Sequence, residues 1–105
     1  MITHTAHLPG RKFRLGQMVA TPGAIAALQH AGDDPAVFIQ RHRSGDWGDV
    51  HVEDARRNDA AIAHESDPER RERVLSSYRT SANEKLWIIT EADRSATTML
   101  LPEEY

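Results

Sequence analysis

The chain has 105 residues, enough for one domain around one small core, with 39% apolar residues, 28% charged residues and a net charge of −3. Sixteen acids against thirteen bases exclude the strongly basic character of a phosphate-tracking protein, and the absence of cysteine excludes disulfides, thiol catalysis and thiolate metal sites. No run approaches the roughly 20 apolar residues of a membrane span, and Met1–Leu15 has no apolar h-region, so a cytoplasmic protein with no membrane partner is expected.

Charge is unevenly spread: residues 1–43 carry a net +3 and residues 44–105 a net −6. Residues 1–14 hold three bases, a Pro-Gly step and no periodicity, and read as a flexible leader to a single domain over 15–105. Leu15–Ala20 is either a brief strand or a lead-in to the first helix. That helix, 22–31, has Thr21 as N-cap, Pro22 at its first position and Gly32 as its stop. The second, 35–43, repeats the pattern with Asp33 or Asp34 and Pro35, and ends on Arg41 and Arg43, which complement its dipole. Trp47 is the bulky anchor of a polar turn and is expected in the core. A third helix spans 52–64, and Ser66-Asp67-Pro68-Glu69 resembles a capping box that predicts a short helical turn.

After residue 73 the period changes from 3.6 to 2. Strands are predicted at 74–80, 85–91 and 96–101, the middle one rich in β-branched and aromatic residues. The fold class is therefore α+β, with three N-terminal helices packed on one face of a C-terminal three-stranded antiparallel sheet. Trp47, Phe38, Leu28, Leu75, Leu86, Ile88 and Leu100 form the expected core. In the middle strand Leu86, Ile88 and Thr90 share one face while Trp87 and Ile89 share the other. Both faces are apolar, yet only one has helices to cover it. That asymmetry points to coverage by the N-terminal segment, by a protein partner or by a homodimer.

Six scattered histidines form no i, i+4 pair and no H-E-x-x-H, so no metal site is assigned. Phosphate-loop, dinucleotide-binding and nucleophile-elbow motifs are missing, and no cofactor is assigned. Metal-independent ribonuclease chemistry needs a base for the 2′-hydroxyl and a cation for the phosphorane. His42, Arg43, Arg79 and Arg94, with Thr97, are the candidates for it. Each also has a plainer reading, as a helix end, a strand surface or a turn. Nucleic-acid binding could use Arg11, Lys12, Arg14 and Arg41–Arg43, although the charge balance does not support it. Trp87, Asp93, Arg94, Arg41 and Arg43 are the candidate binding residues. For the turn Glu91–Ser95 the structural alternative has Asp93 accepting backbone N–H bonds and Arg94 pairing with Glu91 or Glu103.

The run Lys85-Leu86-Trp87-Ile88-Ile89-Thr90-Glu91-Ala92-Asp93-Arg94-Ser95, continuing to Leu101-Pro102-Glu103-Glu104-Tyr105, resembles the ending of a family of small "plasmid-related" proteins of bacterial mobile elements. Gln17–Ala24, Arg41-His42 and Gly45-Asp46-Trp47-Gly48 resemble the same family's earlier landmarks, so the resemblance spans about residues 15–105. It implies a context and no catalytic role. That context is an accessory gene of a mobile element, where small proteins include inhibitors of host defence such as anti-CRISPR proteins, as well as toxins. The resulting expectation is a non-catalytic binding protein, with an endoribonuclease toxin as the alternative.

Overall fold

The computed structural model describes residues 12–105. Helix α1 (Pro22–Ala31) starts where Thr21 accepts the Ala24 N–H at 3.1 Å, and it stops at Gly32, held in the left-handed region at φ 70°. Helix α2 (Pro35–Arg43) starts at Asp34, which accepts the Ala36 N–H at 2.9 Å. Helix α3 (Val52–Ala63) is capped by the ring Nδ1 of His51, an acceptor for the Glu53 N–H. Each helix thus begins on a side chain that satisfies a backbone donor left without an intrahelical partner. Residues 65–73 hold successive turns without a helix: Asp67 accepts the Arg70 and Arg71 N–H groups through its carbonyl and the Glu69 N–H through its carboxylate.

The sheet departs from the sequence expectation. It has four strands in the order β1-β4-β3-β2, and it is mixed. Strands β2 (Val74–Arg79), β3 (Lys85–Thr90) and β4 (Ala96–Leu100) form the antiparallel meander. Strand β1 (Gln17–Ala20) joins β4 in parallel, pairing Gln17 with Ala96 and Ala20 with Met99. Parallel partners 79 residues apart need no local turn, so the pairing leaves no hairpin signal to read. The domain also begins before residue 15. Phe13 is buried between the His42 and Trp47 rings, so Lys12–Arg14 belong to the fold, while the rest of the proposed leader lies outside the described residues.

One face of the sheet carries the main core, where Ala24 and Leu28 of α1 and Phe38 of α2 meet Tyr78, Leu86, Ile88 and Met99. A second cluster joins Phe13, Trp47, Ala61 of α3 and Val74. All seven residues expected in the core are buried. The opposite face holds Leu75, Ile89 and Leu100, with Val50 and Trp87 packed against them. The loop before α3 thus supplies part of the cover that the alternation of β3 demanded.

The two sheet edges differ. The outer edge of β2 is closed. Asn58 of α3 accepts the Leu75 N–H at 3.1 Å and donates to the Leu75 carbonyl at 2.7 Å. Two residues on, the Ser77 N–H donates to Trp47 O, and the Asp49 N–H donates to Ser77 O. This close approach depends on Gly48, which sits at φ 73° and where a Cβ would collide with the Ser77 carbonyl. Gly32 has a similar φ of 70°, but open space surrounds it. Gly48→Ala should therefore cost several kcal/mol, from strain plus a displaced edge, whereas Gly32→Ala should cost only about 1 kcal/mol. Urea unfolding of both variants checks this; equal losses would contradict the assigned role of Gly48.

Candidate functional site

The most concentrated polar chemistry in the described chain is buried. His42, in the last turn of α2, is 0% exposed, and both ring nitrogens are engaged. Nδ1 lies 2.6 Å from Ser76 Oγ on β2, and Nε2 lies 2.9 Å from Thr90 Oγ1 on β3. Thr90 Oγ1 is 2.7 Å from Thr97 Oγ1 on β4, and the Thr97 hydroxyl donates to the Leu15 carbonyl at 2.7 Å. Each hydroxyl has one proton, so this last bond orders the whole chain. Thr97 is spent on Leu15, so Thr90 donates to Thr97; His42 Nε2–H then donates to Thr90; Ser76 donates to the bare Nδ1. The imidazole is thereby fixed as the neutral Nε2–H tautomer. Burial pushes its pKa down to about 3, and the nearby Arg94 guanidinium adds to the shift. A neutral ring with no exposed atom holds strands together and cannot meet a substrate.

Arg94 is equally enclosed, at 4% exposed. Its Nη2 and Nε hold the Glu65 carboxylate at 2.7–3.1 Å, and its Nη1 donates to the carbonyls of Glu72 and Glu91. The guanidinium also lies 5.6 Å from the Phe13 ring centroid. Arg94 is thus a clamp between the β3–β4 turn and the segment leading to β2. Neither Glu91 nor Glu103 is its ion-pair partner, and it is unavailable for recognition. Asp93 is exposed and accepts the Ser95 N–H at 2.9 Å; the Ser95 hydroxyl first, and then this N–H, hold its carboxyl below the usual range.

The remaining candidates are dispersed. Arg41 is paired with Asp46 at 2.7 Å and stacks 4.4 Å over Tyr78. Arg79 faces Asp49 and Asn83. Arg94 is bonded to Glu72 O just before β2, whereas Arg79 ends that strand, its backbone roughly 17 Å beyond Val74 at ~3.3 Å per residue. His42, Arg43, Arg79 and Arg94 therefore do not converge on a common point. Arg43 does meet Arg14 across a small cavity of about 260 Å³, and the Lys12 N–H donates to the Arg43 carbonyl, but Arg41 is turned away from this corner. Among the described residues no group of three or more His, Asp or Glu has metal-binding geometry, and no helix is long and apolar enough to cross a membrane.

Accessible apolar surface lies elsewhere. On the second face Trp87 is half-buried, and its ring meets Tyr105 edge-on at 5.7 Å. Tyr105 is 73% exposed at the end of the 3₁₀ turn Pro102–Glu104. That turn is fixed because Glu104 accepts the Thr21 hydroxyl at 2.5 Å and the Gly23 N–H at 3.2 Å, which places a carboxylate at the positive end of α1. Tyr105 was not among the sequence candidates; a large aromatic just past a Pro-Glu-Glu step is the signal that could have found it. On the helix face, an apolar groove of about 460 Å³ runs beside β1, between Met18, Ile25 and Ile39. Comparison with family models, with curated proteins and with solved structures finds no match, so the site is read from its own geometry.

Two outcomes follow for the buried groups. The folded-state pKa of His42 is depressed, so its stabilising contribution is complete above the unfolded-state value of about 6.5 and is lost as pH falls toward 3. At pH 5 the loss should be about 2 kcal/mol. Urea midpoints between pH 7 and 5 should show this slope, and His42→Gln, less stable at pH 7, should lack it; equal slopes would contradict a neutral, sealed His42. For Arg94→Ala, leaving Glu65 and buried carbonyls without their donor should cost about 3–5 kcal/mol. Thermal melting reads this directly, and an unchanged melting temperature would contradict the clamp.

Proposed function

We propose that this is a non-catalytic binding protein that recognises another protein through the second face of its sheet. The observation that carries the reading is the Trp87–Tyr105 pair, a half-buried indole supporting a phenol that is 73% exposed. Trp and Tyr are the residues that most often dominate binding energy, because they offer large rigid surface at small entropic cost. Around them the centre of the face is apolar or neutral, with Leu100 paired to Trp87 and Thr98 to Ile89, and its two cations, Lys85 and the Asp49-paired Arg79, stand at one end. Such a face suits a protein surface better than a phosphate backbone. Its rigidity comes from below, because β3 is the central strand of the antiparallel meander and Glu104 fixes the turn that carries Tyr105.

The resemblance to proteins of mobile elements gives this reading its specific form, an accessory protein that inhibits a host defence complex. The endoribonuclease reading finds less support, since its base would have to be a sealed histidine and its cations stand far apart. Pull-down from a host carrying the defence system, with quantitative mass spectrometry, tests the proposal. The wild-type chain should enrich a specific protein, and Tyr105→Ala should reduce its capture by roughly 30-fold, the effect of losing a ~2 kcal/mol anchor. The melting temperature of the variant should stay unchanged. Absence of an enriched protein, or equal capture by the variant, would contradict the proposal.

A further inference from the structure

Among the described residues the outer edge of β1 is open. In a parallel pair, alternate residues of a strand face its neighbour. The Gln17 N–H donates to Ser95 O and the Thr21 N–H to Met99 O, so Met18 and Ala20 direct their N–H and C=O groups away from β4. Among the described residues nothing hydrogen-bonds to these groups. Met18 and Val19 are each 41% exposed, and Ile25, exposed on α1, adjoins them across the apolar groove. The strand Gln17-Met18-Val19-Ala20 has no charge, no proline and no bulge, the usual devices that keep a sheet edge from pairing. The opposite edge, by contrast, is closed by Asn58 and by the Trp47–Asp49 segment.

From this contrast we infer that β1 is a homodimer interface, on which β1 of a second copy docks antiparallel about a two-fold axis through Val19. The choice of occupant rests on register, size and charge. With the axis at Val19, Met18 of each copy stands opposite Ala20 of the other, and both are the residues whose main-chain groups point outward. These two pairs exchange about four main-chain hydrogen bonds. A long side chain lies beside a short one, so Met18 has room above its neighbour to enter the apolar groove of the other copy. Val19 meets its own symmetry mate as the non-hydrogen-bonded pair, on the second face. Gln17 falls opposite Thr21, so no like charges confront each other along the strand. The one carboxylate lining the groove, Asp33, is already bonded to Ser81 N and Oγ at 2.8 and 2.5 Å. Both outer edges of the resulting eight-stranded sheet are the closed β2 edges, so the assembly stops at two copies instead of growing into a fibre. This inference is independent of the binding proposal, which uses Trp87 and Tyr105.

The native chain has no cysteine, which makes a register test direct. A non-hydrogen-bonded antiparallel pair places Cα atoms ~4.5 Å apart, within the range a disulfide spans. Val19→Cys, treated with diamide to take up the two thiol hydrogens, should convert to a covalent dimer at least tenfold faster than Met18→Cys, whose mate faces Ala20. Wild-type protein should sediment as a dimer at ~100 µM. Met18→Lys should sediment as a monomer and should melt at the same temperature as wild type diluted until it too is monomeric, because Met18 is exposed in the single chain. A monomeric wild type at that concentration, or equal cross-linking rates for the two cysteine variants, would overturn the inference. So would assemblies that grow beyond two copies.

Discussion

The fold depends on a row of four hydrogen bonds in which every proton has one place to go. Leu15 O, Thr97, Thr90, His42 and Ser76 are joined in that order, and they come from the segment before β1, from β4, β3 and α2, and from β2. Burying a hydroxyl or an imidazole is costly unless each finds a partner. Here each partner lies on a different element, so the row is satisfied only when helix, sheet and N-terminal segment are assembled together. This explains how a chain with few large apolar residues reaches a single arrangement. Six large side chains and Ala24 fill the main core, and the polar row sets how α2 lies across the strands.

The walls around this row tie it to the rest of the molecule. Phe13 meets the His42 ring edge-on at 5.1 Å, and Trp47 approaches it at 6.0 Å. Trp47 is held by its Nε1–H donating to Asp59 at 3.0 Å. Its neighbour Gly48 lets the same loop close the β2 edge. Arg94 completes the enclosure, bringing one positive charge near the histidine and so favouring its neutral form. Groups that would suggest catalysis in a list of residues are thus consumed in construction. The fold leaves two apolar features accessible: an aromatic pair on one face of the sheet, and a strand with its groove at one edge.

Much of the architecture was legible in the sequence because its signals are local. Thr21-Pro22 and Asp34-Pro35 mark helix starts through capping and fixed φ, and Gly32 marks a stop. The alternation in Leu86–Thr90 identified a strand with two apolar faces, and the structure covers one with helices and part of the other with Val50. What escaped the reading is contact between distant segments. The β1–β4 pairing has no turn to announce it, and Phe13 sits alone in a polar stretch without periodicity. His42, Ser76, Thr90 and Thr97 are unremarkable singly and gain meaning only from the register that aligns them. Arg94 was expected to pair within its own turn or with Glu103. Its positive φ of 62° instead directs it under the sheet end toward Glu65.

The central claim is that His42 is a neutral, buried tie between strands and not a titrating site. Nitrogen-15 NMR of the imidazole rings tests it most directly. The account predicts one histidine whose Nε2 carries a slowly exchanging proton and whose Nδ1 resonates as a bare acceptor, with neither signal moving between pH 7.5 and pH 5. If instead every ring titrated near pH 6.5, or if the proton of His42 resided on Nδ1, the ordered row of hydrogen bonds would not exist and the account built on it would fail.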